Sequence, residues 1–294
     1  MRTLRPATTR LLPYARLPRR YKGRRIVTST VDVWGRAHWL LAPADNDPPM
    51  AHHESLVVTV ADGTARETHL ATPSRRSARL DALPHGGFVL ADARCAPGEE
   101  NAQVFDALGR RAGSFPVGDG IEHLLADEAG DVWVGYFDEG IYGDDPLSAA
   151  GLRRFSSTGE PVWEYEGGAG REWISACYAL NVHDRTAWTC PYTGFALFDV
   201  RNDALGAPRP APVHGARGVA VHGDRVAFFG GYLGAADNLL LCTLDPEAVE
   251  PLRETRLIHQ DGGPLGRRRV VCRGARLYVQ AGRGGQWGVV DLAR

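Results

Sequence analysis

Short apolar runs and turn clusters alternate most regularly between Ile121 and Gly167. Ile121–Glu128 begins as an apolar run and ends in Asp127-Glu128-Ala129-Gly130-Asp131, a cluster of turn formers. Val132–Phe137 alternates and is rich in aromatic and β-branched residues, which pack well on a pleated surface. Gly151–Ser156 follows a longer polar stretch. Thr158-Gly159-Glu160-Pro161 supplies a second tight turn, and Val162–Tyr165 closes the segment. The pattern predicts four short strands within about 45 residues, the size of one unit of a repeating β architecture.

The pattern recurs along the chain. An aromatic residue suited to anchor the second strand of a unit occurs at Trp39, Phe88, Trp133, Trp188, Phe228 and Tyr278, at intervals of 40 to 55 residues. Each follows a polar turn: Trp34-Gly35-Arg36, Pro84-His85-Gly86, Ala129-Gly130-Asp131, His183-Asp184-Arg185, His222-Gly223-Asp224 and Arg273-Gly274-Ala275. No stretch reads as an amphipathic helix of three or more turns, and Asp245–Val249 suits one short turn. The predicted units are Arg25–Ala71, Ser77–Val117, Ile121–Gly167, Trp173–Val213, Ala216–Gln260 and Gly266 to the C-terminus. The sixth has strands near Arg268–Cys272, Arg276–Ala281 and Gln286–Leu292 and then ends one strand short. Leu11–Leu17 is the predicted missing strand. Pro13 and Pro18 suit an outer edge, because proline cannot donate to a central ladder.

The segment Asp127-Glu128-Ala129-Gly130-Asp131-Val132-Trp133-Val134-Gly135, with Gly140 and Gly151-Leu152 downstream, resembles the repeats of two-component-regulator and NHL-type β-propellers. The chain as a whole resembles a group of uncharacterised actinobacterial propeller proteins. Both resemblances imply a fold and no activity. With six units, the expectation is an all-β, six-bladed β-propeller in a single domain, residues 1–294. Its ring would be closed by the N- and C-terminal segments, which would remove open sheet edges.

Composition sharpens this picture in places. Hydrophobic residues make up 44% of the chain, with 35 Gly and 19 Pro, as a turn-dense β protein requires. Lys22 is the only lysine beside 33 arginines, a bias that reads as codon usage. The five cysteines, Cys95, Cys177, Cys190, Cys242 and Cys272, are odd in number and lack C-x-x-C spacing, which argues against a disulfide framework or a structural zinc site. The net charge of −1 gives no overall field to attract nucleic acid, despite the basic runs Arg16, Arg19, Arg20, Lys22, Arg24, Arg25 and Arg267-Arg268-Arg269. No stretch is apolar enough to span a bilayer, so no membrane contact is expected. Residues 1–25 hold eight arginines and no acid, without the apolar core of a secretory signal, and the protein is read as cytoplasmic.

Loop length separates the two faces of such a fold. The A–B turns are short. Several B–C loops are long: Ala42–His53, Ala93–Glu100, Asp138–Ala150 and Gly230–Ala236. Long loops on one face are where recognition is expected. Counting back from the anchors places Thr28-Ser29, Ser77-Ala78, Glu122-His123, Cys177-Tyr178, Arg217-Gly218 and Arg267-Arg268 at the start of the inner strands. The channel mouth would then carry Glu122, His123, Tyr178, Arg217 and Arg267 or Arg268. Guanidinium forks bind carboxylate or phosphate bidentately, so a small anionic ligand is expected. The competing reading is a structural network in which these arginines pair with Glu122 and loop acids.

Enzymatic readings are weaker. Asp45, Asn46, Asp47, His52, His53 and Glu54 form one ligand-rich loop, and Asp138, Glu139, Asp144 and Asp145 another. Hard oxygen ligands suit calcium or magnesium, so a divalent cation is the candidate cofactor. Glu122 resembles the carboxylate ligand of six-bladed lactonases of the gluconolactonase and regucalcin type, with Asn181 and Asp138 as further candidates, but the remaining ligand of that family has no match. Both loops also read as solvated acids. His52 and His53 are adjacent on an extended chain and point opposite ways. No G-x-S-x-G is present, Cys177 reads as a buried thiol, and Gly282-Arg283-Gly284-Gly285 lies between strands, not before a helix.

The sequence therefore points to a non-enzymatic binding module. It would hold a protein partner or small anionic ligand through Tyr178, Arg217, Arg267, Arg268, Asp138, Glu139, Tyr142 and Tyr232, with Pro48-Pro49 as further contacts. The alternative is a metal-dependent lactonase-like hydrolase using Glu122 and His123.

Overall fold

The computed structural model describes residues 7–42, 55–72, 77–168, 170–282 and 285–294. The predicted contacts and ligands in Ala42–His53 and at Glu54, and the Arg283-Gly284 turn, lie outside these residues, Ala42 apart. The chain divides into two compact units. One comprises Met1–Tyr14, Tyr178–Asn181 and Thr186–Arg294, the other Ala15–Cys177 and Val182–Arg185.

Two strands open the chain, β1 (Thr8–Arg10) and β2 (Leu12–Arg16). Three four-stranded antiparallel meanders follow, the strand arrangement found in a β-propeller blade. The first contains β3 (Ile26–Val31), β4 (Ala37–Leu41), β5 (Ser55–Ala61) and β6 (Thr64–Leu70). The second contains β7 (Ala78–Ala82), β8 (Phe88–Asp92), β9 (Ala102–Phe105) and β10 (Arg111–Phe115). The third contains β11 (Ile121–Ala126), β12 (Val132–Tyr136), β13 (Leu152–Phe155) and β14 (Pro161–Glu164). The long loop after β12 is not wholly irregular: it opens with a one-turn helix, α1 (Asp138–Ile141).

The same polar group builds the tight turns of these meanders. Asp32, Asp106, Asp127 and Ser156 each stand three residues before a glycine, at Gly35, Gly109, Gly130 and Gly159. Each accepts, through its carbonyl, a hydrogen bond from that glycine's N–H at 2.9–3.1 Å. Each side-chain oxygen also accepts the N–H groups two and four residues on. Such short side chains mimic a backbone turn, and glycine supplies the positive φ the turn then needs, +82° at Gly35 and +94° at Gly130.

β15 (Leu180–His183) follows, and the other unit continues with β16 (Thr186–Thr189), β17 (Ala196–Arg201), β18 (Ala204–Leu205) and β19 (Arg209–Pro210). Regular pairing starts at Leu180, so Cys177 and Tyr178 precede the strand on which the sequence placed them. Next come β20 (Gly218–His222), β21 (Arg225–Phe229), β22 (Asn238–Leu244) and β23 (Val249–Ile258). The chain ends with β24 (Arg268–Arg273), β25 (Arg276–Ala281) and β26 (Gln286–Asp291). β2 lies beside β26 as the outermost strand of that sheet, where Pro13 needs no ladder donor. β1 adds itself in parallel to β23, pairing Thr8 with Arg256 and Arg10 with Ile258, which the sequence did not suggest. A single parallel pair, Asn181 with Cys272, joins β15 to β24.

The six aromatic anchors sit on β4, β8, β12, β16, β21 and β25, the second strands of their meanders, and all are buried. Around them, apolar inner positions form separate cores. One gathers Val89, Ile121, Val134 and Phe155; another gathers Leu11, Ala227, Leu257, Leu277 and Val279. No helix of the described residues is long and apolar enough to cross a membrane.

Candidate functional site

In the unit that holds β11, a bulge decides where Glu122 goes. Ile121 pairs with Tyr136 and His123 with Gly135, so Glu122 is the extra residue. A bulge re-aims side chains that strict alternation would place on the ladder. Glu122 turns toward Arg79 of β7: its carbonyl accepts from Nε at 3.1 Å, and its carboxylate lies 3.9 Å from the guanidinium. Burial draws Arg79 below the ordinary arginine range, and Glu122 opposes that shift. His123 stands opposite Gly135. A Cβ at Gly135 would lie 2.6 Å from Cys177 Sγ and 3.5 Å from the His123 ring, so the missing side chain makes room for the thiol.

The neighbouring loops are tied by charge. Arg94 bonds Asp119 through Nε at 3.0 Å and pairs with Glu139. Asp119 also accepts the Cys95 N–H at 2.9 Å. Asp138 is exposed and accepts the Glu139 N–H at 3.0 Å. Tyr142 is 73% exposed, yet its hydroxyl donates to Ser175 Oγ at 2.7 Å. Cys95 is pushed up to about 12, first by burial and then by Asp119 and Asp145. Among the described residues, no three His, Cys, Asp or Glu side chains group so as to hold a metal ion.

In the other unit, three residues singled out from the sequence come together. Arg217, just before β20, places its guanidinium over the Tyr178 ring at 4.3 Å. The Tyr232 hydroxyl donates to the Tyr178 hydroxyl at 2.8 Å. Burial and the Tyr178 contact raise Tyr232 far above the ordinary tyrosine range, so it stays a neutral donor. Arg217 is exposed and forms no ion pair among the described residues. Arg268, by contrast, is paired with Asp237, which also holds Arg256 at 3.1 Å. Arg267 is exposed, and its carbonyl accepts the Gly282 N–H at 2.9 Å. Asn181 is fully buried. Its Nδ2 donates to Val219 O and Gly274 O, and its Oδ1 accepts the Gly274 N–H.

Three further residues join this group without having been singled out. Tyr192 and Phe195 lie in the Pro191–Phe195 loop between β16 and β17, and His214 precedes Arg217. Phe195 is central, with ring centroids 5.7 Å from Tyr178, 5.5 Å from Tyr192, 5.1 Å from His214 and 5.7 Å from Tyr232. The available signal was the density of aromatic residues in a B–C loop. Its shortness hid it among longer ones.

No protein-family description matches this chain, and no curated protein sequence does. Solved structures similar to it include the β-propeller domain of Myceliophteria thermophila Cps50 (Swd1), 14% identical, with 90% of this chain and 82% of that one covered and a TM-score of 0.48. A periplasmic gluconolactonase from Pseudomonas aeruginosa is 16% identical over 80% of this chain and 70% of its own, with a TM-score of 0.49. A luciferin-regenerating enzyme is 12% identical over 89% and 88%, with a TM-score of 0.47. Likeness of this depth carries no activity, substrate or partner to this chain.

Proposed function

We propose that this protein is a six-bladed β-propeller, one domain closed by its N- and C-terminal segments, that acts as a non-enzymatic binding module for a small anionic ligand. The observation that carries the reading is Arg217: an exposed guanidinium, held over the Tyr178 ring and without an ion pair among the described residues. Arg268, by contrast, is neutralised by Asp237. An arginine held rigid by an aromatic face, with its N–H fork open, is prepared for an incoming anion. The B–C loops would supply recognition on the rigid blades. Five free cysteines, four of them buried, support a reducing, cytoplasmic location.

Thermal-shift measurements with a panel of small carboxylates and phosphates test this on the wild type and Arg217→Ala. A ligand present at a hundred times its Kd adds about 2.7 kcal/mol to stability. The expected result is an anion that raises the wild-type Tm by several degrees and leaves the variant unchanged. One divalent cation per chain by elemental analysis, lost with Glu122→Ala, would overturn the reading in favour of a metal-dependent lactonase-like hydrolase.

A further inference from the structure

The ring cluster around Phe195 has a fixed side and an open side. Phe195 is 5% exposed, and its backbone lies at φ +54°, a left-handed conformation that bulky residues rarely adopt. It is retained where the surroundings over-determine it, as they do here: the Phe195 N–H donates to Pro191 O at 3.0 Å and its carbonyl accepts from Cys190 Sγ at 3.2 Å. Tyr232 is fixed by an absence. Gly215, at φ +81°, lies where a Cβ would meet the Tyr232 ring at 2.7 Å. The inner rings are therefore held tightly.

The open side is not needed for that packing. Tyr192 remains 38% exposed and Tyr232 42% exposed. Tyr192 stacks on Tyr178 with 18° between planes, and His214 on Phe195 with 15°. A near-parallel stack whose outer ring faces water is a surface on which another flat ring gains offset stacking and loses apolar exposure. Arg217 lies over the Tyr178 ring of the same stack, 4.3 Å from its centroid. A guanidinium carries its N–H groups in its own plane, along a fork-shaped edge. That edge fits the two oxygens of a carboxylate. One guanidinium balances one negative charge, which favours a carboxylate over a doubly charged phosphate.

We infer that the ligand is a flat, unsaturated ring bearing one carboxylate, its ring stacked on Tyr192 and its carboxylate on Arg217. This rests on the proposed anion-binding reading and adds the ligand's class, with Tyr192, Phe195, His214 and Gly215 as parts of the site. No covalent step is involved.

Titration calorimetry on the full chain tests it with four probes: indole-3-carboxylate, benzoate, cyclohexanecarboxylate and acetate. The two aromatic acids are expected to bind about ten-fold tighter than cyclohexanecarboxylate, which has the same charge without a flat face. Arg217→Ala should remove binding of all four, and Arg217→Lys should restore it only in part, because lysine keeps charge without the fork. Tyr192→Leu should abolish the preference for aromatic acids while leaving acetate unaffected. Circular dichroism melts establish that each variant is folded. Should Tyr192→Leu not fold, the ratio of benzoate to cyclohexanecarboxylate in the wild type decides alone. Equal, Arg217-dependent binding of cyclic and aromatic acids would sink the ring inference and leave the anion reading standing. Binding of no probe in an Arg217-dependent manner would overturn both.

Discussion

Glu128 and Gly135 show how single residues carry unequal loads in this fold. Burial alone would raise the Glu128 carboxyl, but His183 Nδ1 at 3.0 Å and the Asp184 N–H at 2.9 Å outweigh it and hold the group at about 2. A carboxylate depressed on folding stabilises the native state above its ordinary pKa of 4.5, and that contribution is lost as pH falls toward 2. After allowance for solvent screening it should amount to about 1–2 kcal/mol. Urea unfolding of wild type and Glu128→Gln should therefore differ by this amount at pH 6 and converge near pH 2. A difference that persists at pH 2 would mean the charge is not its source. At Gly135 the issue is space. A methyl there would lie 2.6 Å from Cys177 Sγ and 3.0 Å from its Cβ. Overpacking of this kind costs about 1–3 kcal/mol, so Gly135→Ala should lower the Tm, and adding Cys177→Ala should restore part of the loss. Additive losses in the double variant would show that the two sites do not meet.

At the scale of elements, the meanders were legible because their signals are local. Period-two alternation, aromatic anchors and turn formers all act over a few residues, and each anchor falls on the second strand of a meander. The recurring Asp-x-x-Gly turn makes the point sharply. Asp32 accepts from Trp34 N, Arg36 N, Arg36 Nε and His38 Nε2 at 2.7–3.0 Å, while His38 Nδ1 meets Thr59 Oγ1 at 2.8 Å. Burial pushes the Asp32 carboxyl up, and His38 and Arg36 bring it below the usual range. Ser156 performs the same turn function on an exposed hairpin without a buried partner. Asp32→Ala should therefore cost about 2–3 kcal/mol by leaving Nε2 of the buried His38 and the turn N–H groups without their acceptor, whereas Ser156→Ala should cost about 1 kcal/mol. Equal losses by thermal denaturation would refute the distinction. What was not legible depends on register or on distance along the chain. The bulge at Glu122 breaks the alternation of β11, and nothing in Glu-His announces it. Tyr178, Phe195 and His214 touch only because separate loops fold to one place, so spacing could suggest Arg217 and Tyr178 but not the rings around them.

At the scale of the whole molecule, the decisive segment is residues 7–17. Leu11 sits between β1 and β2, 2% exposed, in one core with Leu257, Leu277 and Leu292. Gly288 of β26 admits it closely: a Cβ there would lie 2.8 Å from that of Leu11. Tyr14 continues the contact, its ring 4.7 Å from that of Tyr278. One short segment thus covers the free edge of β23 with β1 and that of β26 with β2. Uncovered edges present unpaired N–H and C=O groups, and a closed ring is one way to remove them. If the N-terminus closes the ring as proposed, its loss should be felt in two separate ways. Leu11→Ala removes core contacts alone and should cost about 2–4 kcal/mol without changing the association state. Deletion of residues 1–17 also uncovers both edges, so it should lower the Tm further and produce dimers or larger species in size-exclusion chromatography with light scattering. A deleted protein that stays monomeric with the Tm of Leu11→Ala would show that the strands add nothing beyond Leu11, and closure by the termini would then have to be abandoned.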